Sequence, residues 1–167
     1  LADGPEGRPS IAFEHADESR LVFARREASG RWEQETVART DIDDLLYDID
    51  PVGRPLIIAQ DDTEGASGRE LPIRAYSRRD GTWQMREVFR GAGHVYLKPP
   101  IAFDRSGAAH VAFSRGFEAE RTTVFAASSP RGGSGDWTIE LERQRSVGSY
   151  QSVVTVVGDQ PHLLSCR

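Results

Sequence analysis

The sequence predicts an all-β protein, a partial β-propeller of four-stranded antiparallel blades, and three observations predict it. First, Trp32, Trp83 and Trp137 recur about every 50 residues, a spacing typical of propeller blades. Second, the surroundings of each Trp repeat: a glycine turn stands just before it, and a second glycine turn followed by an apolar strand stands upstream. Third, no stretch of about 11 residues keeps apolar positions at helical spacing without an interrupting Gly or Pro. The short segment 41–46 comes nearest to one.

The repeat divides the chain into units at approximately 1–40, 41–93, 94–146 and 147–167, the first and last incomplete. In the first, the turn Gly7-Arg8-Pro9 leads into the apolar run 10–13, and a second strand follows at 20–26. Ser29-Gly30-Arg31 then turns the chain into Trp32, which opens the alternating strand 32–37. The second unit adds a strand at 46–50 ahead of its turn Gly53-Arg54-Pro55, then repeats the series with 56–59, 71–78, Asp80-Gly81-Thr82 and 83–88. The third reads 100–104, Gly107, 110–113, 122–128, Ser134-Gly135-Asp136 and 137–141. The fourth has 152–156, the turn at Gly158 and 162–164.

The strand segments are rich in β-branched, aromatic and small residues that suit a pleated surface. Glycine before each Trp supplies the positive φ that tight hairpins require. On this reading the chain begins at the second strand of one unit and stops after the second strand of another, giving about thirteen strands and about three blades. The three Trp are expected in the core, wedged between neighbouring sheets.

The segments Val147-Gly148-Ser149-Tyr150-Gln151-Ser152, Gly158-Asp159-Gln160-Pro161-His162-Leu163 and Gly7-Arg8-Pro9-Ser10-Ile11-Ala12-Phe13 resemble the repeats of bacterial sialidase-like propellers. The resemblance covers nearly the whole chain. It implies a ring of about six or seven blades, and a secreted, periplasmic or cell-surface location. It also implies that the remaining blades come from a longer chain or from another subunit. The related Asp-box is degenerate: Ser77-Arg78-Arg79-Asp80-Gly81-Thr82-Trp83 keeps the Asp, Gly and Trp at altered spacing, and no Arg-Ile-Pro segment of a true sialidase is present. Such repeats specify fold rather than chemistry.

Composition narrows the partners. The 26 acidic and 21 basic residues are interspersed, and a net charge of −5 argues against nucleic acid. Cys166 is the single cysteine, which excludes an internal disulfide framework, and no apolar run reaches the roughly 20 residues of a membrane span. The chain is thus expected to be cytoplasmic or to have lost a signal. Zinc-protease, nucleophile-elbow and phosphate-loop motifs are absent.

If the strand before each upstream glycine turn is innermost, the segments leading into it approach the channel mouth. They carry Asp43 and Asp44, His94, Tyr96 and Lys98, and Tyr150 and Gln151. Tyrosine faces beside carboxylates and amides suit sugar stacking and hydroxyl recognition. The expected function is a binding or interaction module with a carbohydrate or protein ligand at that mouth. The alternatives are a polysaccharide-acting enzyme, a glycoside hydrolase or lyase whose catalytic groups lie partly outside this chain, and a purely structural scaffold. No catalytic residue or cofactor is assigned. The acids Asp41, Asp43, Asp44, Asp48 and Asp50 could face calcium, but they lack an EF-hand spacing and read as a solvated loop. His110 and His162, at nearly the same place in the repeat, are expected in hydrogen-bonded structural roles.

Overall fold

The structure is a computed structural model, and it describes residues 2–3, 7–62, 70–92, 94–117, 121–146 and 151–166. Among these residues fourteen strands form four antiparallel sheets, each made only of strands adjacent in sequence. Sheet 1 comprises β1 (Ala2–Asp3), β2 (Pro9–His15), β3 (Arg20–Arg26) and β4 (Trp32–Arg39). Sheet 2 comprises β5 (Ile42–Ile49), β6 (Pro55–Asp61), β7 (Glu70–Arg79) and β8 (Thr82–Ala92). Sheet 3 comprises β9 (His94–Phe103), β10 (Ala109–Phe117), β11 (Arg121–Ser129) and β12 (Thr138–Ser146). In sheet 4, β13 (Gln151–Val157) pairs with β14 (Gln160–Cys166). The all-β, antiparallel character expected from the sequence is present. No helix of the described residues is long and apolar enough to cross a membrane.

Three strand boundaries differ from the sequence reading. A two-residue strand, β1, precedes the Gly7 turn and pairs Ala2 with Ser10, so sheet 1 does not begin at its second strand. Two residues carry no readable alternation, which is why the strand was invisible. The first strands of sheets 2 and 3 also start earlier, at Ile42 and His94. A run of aspartates and the Pro99-Pro100 pair both oppose strand by propensity, yet each segment is held by pairing to its neighbour, with a bulge that absorbs the misfit.

The upstream glycine turns of sheets 2 and 3 are built alike. Asp50 N donates to Arg54 O at 2.9 Å and Gly53 N to Asp50 O at 2.9 Å; Asp104 N donates to Ala108 O at 3.1 Å and Gly107 N to Asp104 O at 2.9 Å. The glycines sit at φ 87° and 78°, where a Cβ would be strained. Each aspartate side chain then completes its turn. Asp50 accepts from the Val52 and Arg54 amides at 3.0 and 2.8 Å and pairs with the Arg54 guanidinium at 2.6 Å. Asp104 accepts from the Ala108 amide at 2.9 Å and Ser106 Oγ at 2.7 Å, and lies 3.3 Å from buried His110 Nε2. His162, by contrast, is exposed. Six residues before it stands Val156 rather than a carboxylate, so the structural role expected for it is not built.

Desolvation pushes the Asp104 pKa up, and the hydrogen bonds from Ser106, Ala108 and His110 together outweigh it, leaving the carboxyl below its ordinary value. With the folded pKa below the unfolded one, the stability Asp104 contributes is complete above the unfolded carboxylate range. It is lost as pH falls through the folded value. Asp104→Asn is therefore expected to cost about 1–2 kcal/mol near neutral pH, with the deficit shrinking toward acid. Urea melts of both proteins from neutral pH to pH 3 check this; a deficit constant with pH would be contrary to it.

The core follows from alternation along β6. Leu56 and Ile58 face sheet 3 in one cluster, while Ile57 and Ala59 face sheet 1 in another, and all four are fully buried. Both faces of β6 are covered, so its seven residues are all buried. Between sheets 2 and 3, Phe89, Phe113 and Phe125 form an aromatic group: Phe113 stacks on Phe125 at 5.0 Å, and Phe89 lies 4.7 Å from Phe125. Between sheets 1 and 2, Phe23 meets Trp83 edge-on at 5.5 Å and Tyr47 at 5.9 Å.

Trp83, in sheet 2, thus packs toward sheet 1, and Trp137, just before β12, packs against the cluster between sheets 2 and 3. Trp32 departs from the core role expected of it and is 41% exposed. It lies on β4 opposite Arg26, as Trp83 lies on β8 opposite Arg78, but among the described residues no sheet covers that face of sheet 1.

Candidate functional site

The first strands of the sheets gather on one side: β5 lies against β9, and β9 against β13. Among the described residues, contact between sheets is broadest along these strands. A side-chain bond joins two of them directly. Asp44 Oδ2 accepts the Leu97 amide at 2.9 Å, linking sheet 2 to sheet 3. Leu97 stands between Tyr96 and Lys98, so the bond brings Asp44 to the backbone that carries both.

Asp43 sits at the β5 bulge, where Ile42 pairs with Asp61 and Asp44 with Gln60, and it is exposed. A bulge leaves one residue outside the ladder and re-aims its side chain. Tyr96, opposite Ser114, is 48% exposed and stands between the buried Val95 and Leu97. His94 opens β9 opposite Gly116, Lys98 pairs with Ala112, and Gln151 opens β13 opposite Cys166. Tyr150 lies outside the described residues. Asp43, Asp44, His94, Tyr96 and Lys98, expected in segments leading into the first strands, therefore lie within those strands. The structure brings Asp44 to the segment 96–98 and places Gln151 on the next strand along.

Asp48 and Asp50 of the 41–50 run have separate partners. Asp48 accepts the Ile49 amide at 2.8 Å, and Asp50 holds its turn. Burial pushes the Asp48 pKa up against that hydrogen bond. Among the described residues, no group of three or more His, Cys, Asp or Glu is placed to hold a metal ion. The connection between sheets 1 and 2 is fixed by carboxylates as well: Glu14 Oε1 accepts the Ile42 amide at 3.0 Å, and buried Asp61 receives Thr40 Oγ1 at 2.5 Å and the Arg74 guanidinium.

The raised Asp48 pKa gives a further expected result. A carboxyl whose folded pKa exceeds its unfolded value contributes stability at low pH that is lost as pH rises through the folded value. Asp48→Asn, which cannot ionise, should therefore match or exceed the native chain in thermal stability at pH 7 and lose that advantage at pH 3. Scanning calorimetry at the two pH values distinguishes this from a simple loss of the Ile49 bond, which would lower stability at both.

A second feature was not anticipated from the sequence. A cavity of about 380 Å³ lies between sheets 1 and 2 at the end of β5 opposite to Asp43 and Asp44, and Arg8, Arg25, Arg26 and Arg78 line it. The signal for it was present as repetition: Gly7-Arg8-Pro9 matches Gly53-Arg54-Pro55, and Arg26, opposite Trp32, matches Arg78, opposite Trp83.

No family model matches the chain, and no curated protein matches it.

Proposed function

We propose that the chain is part of a β-propeller and acts as a carbohydrate-binding module, with its ligand held at the end of the first strands around Asp43, Asp44 and Tyr96. The observation that carries this reading is the Asp44 to Leu97 bond, which fixes neighbouring first strands at residues that adjoin exposed Asp43 on one strand and exposed Tyr96 on the other. A half-exposed tyrosine offers a flat apolar face for a sugar ring, and a nearby carboxylate accepts hydroxyl protons.

The propeller reading is supported by three successive four-stranded meanders whose contacts are broadest along the first strands, by Trp83 and Trp137 each packing toward the preceding sheet, and by the resemblance of the repeats. Further sheets, from a longer chain or another subunit, would cover the exposed Trp32. They would also cover Val153 and Leu164, a cross-strand pair in sheet 4 that is 36% and 60% exposed.

Titration of neutral gluco-, xylo- and chito-hexaoses, followed by amide and aromatic NMR shifts, tests the binding site. Binding should move signals of Tyr96 and of the 43–44 segment, and Tyr96→Ala should weaken it about tenfold, the loss of roughly 1.4 kcal/mol of ring contact. Saturable binding that leaves those signals still would overturn the site, and no binding across the panel would overturn the carbohydrate reading.

A further inference from the structure

We infer that the arginine-lined cleft between sheets 1 and 2 is a second binding site, one that takes an acidic saccharide through its carboxylate groups. It lies at the β5–β6 turn, five or six strand residues and so roughly 18 Å from the site at the beginning of β5.

The chemistry is concentrated there. The cavity of about 380 Å³ carries Arg8, Arg25, Arg26 and Arg78 against one acid, Glu27. A neighbouring cleft of about 330 Å³ shares Arg78 and adds Arg54 and Arg79 against Asp80. Six arginines and two acids thus line two joined clefts in a chain whose net charge is −5. Arginine predominates over acid in this lining, and such a recess can offer its spare N–H donors to an anion, whatever the sign of the whole molecule.

The guanidinium groups are oriented before any ligand arrives. Arg25 is held by Glu33 at 2.8 Å and Glu27 at 3.2 Å, Arg78 by Glu35 at 3.3 Å, Arg54 by Asp50 at 2.6 Å, and Arg26 Nε donates to Gly30 O at 3.2 Å. These bonds engage one or two of the three nitrogens of each group, and a guanidinium has five N–H donors in a fork that fits carboxylate. Arg78, common to both clefts, has an enclosed Nε with no hydrogen-bond partner, so its donors are not satisfied by the fold alone.

The walls decide between a bare anion and a sugar acid. Phe23, Ile49 and Pro55 give the larger cavity an apolar side, and Ser10, whose Oγ lies 2.6 Å from Tyr47 Oη, gives it a hydroxyl. An apolar wall, a hydroxyl and convergent arginines match a pyranose ring with a carboxylate substituent. Two clefts joined at Arg78 match two consecutive acidic units. The arrangement is also particular to these two sheets: at the corresponding positions sheet 3 has Ala108 and Ser128-Ser129.

The test is isothermal titration of the full chain with tetragalacturonate, a sulfated disaccharide and uncharged maltotetraose, in 50 mM and 500 mM salt. Tetragalacturonate should bind, weaken at least tenfold at the higher salt, and weaken at least tenfold again in the Arg26→Gln, Arg79→Gln double variant. Both of those side chains are exposed, so the variant should fold, and an unchanged melting temperature checks that it does. Arg78→Gln should lose both clefts together. Binding of the sulfated sugar with the same dependence on the arginines would extend the site to sulfate as the anion. Equal binding of maltotetraose, or no tetragalacturonate binding at low salt, would overturn the proposal. Tyr96→Ala should leave this binding unchanged, which separates it from the first-strand site.

Discussion

Replacing Phe113 with alanine is expected to cost about 3–5 kcal/mol of stability, because the side chain fills the contact between sheets 2 and 3. Phe113 is fully buried on β10, stacked on Phe125 at 5.0 Å with an interplanar angle of 13° and set 5.3 Å from Phe89. It therefore touches aromatic groups from both sheets. Its removal loses the transfer of a large apolar side chain from water and leaves a cavity that stiff, paired strands cannot collapse to fill. Urea denaturation measures the change through the transition midpoint at constant slope. Met85→Ala, at a position 48% exposed on β8, should by comparison stay within about 0.5 kcal/mol of the native chain. Equal, small effects of the two substitutions would mean that sheets 2 and 3 do not share a core. The double variant with Phe125→Ala should cost less than the sum of the single ones, because the second truncation widens a cavity already open.

The second large effect is expected at Asp61, where alanine should cost about 3–5 kcal/mol. Asp61 is almost wholly buried at the end of β6, accepts Thr40 Oγ1 at 2.5 Å and pairs with Arg74, whose side chain is 21% exposed. The energy is expected to come less from the pair's own attraction than from what its removal leaves behind: a largely enclosed arginine without its counter-charge, and a buried hydroxyl left with only the longer bond to Asp41 O. Thr40 lies in the connection between sheets 1 and 2, so the loss should loosen that junction first. Hydrogen exchange should accelerate at Ile42 and Asp62, whose amides are bonded across it, before it accelerates in sheet 3. Asp62→Ala, one residue away and exposed, should change stability by less than about 0.5 kcal/mol. If Asp61→Ala behaves like Asp62→Ala, the junction is not held by this carboxylate.

The sequence by itself determined most of the strands, though not β1 or the early starts of β5 and β9. Gly30, Gly53, Gly81 and Gly107, all at positive φ, mark turns that were read directly, because a backbone conformation almost closed to other residues leaves its requirement in the residue type. Alternation marked β4 and β8, and the unbroken apolar run 56–59 marked a strand covered on both faces. The recurrence of Trp gave the period, and through it the strand order of sheets 2 and 3, the two units read as whole.

Only the tertiary structure decided which side chains meet. Asp43, Asp44, Tyr96 and Lys98 could be singled out by residue type, but that Asp44 binds the Leu97 amide depends on two residues 53 positions apart. The three Trp look alike in sequence, yet Trp83 and Trp137 are packed and Trp32 is exposed, because burial depends on whether another sheet lies opposite. His110 and His162 divide in the same way, through a carboxylate present at Asp104 and absent at Val156. The arginine cleft is the clearest case: paired arginines at strand ends read as solvated charges until neighbouring sheets turn them toward one recess. Local conformation is set by sterics over a few residues and is legible in their order, whereas a site is a set of distances between distant segments, fixed when the sheets pack.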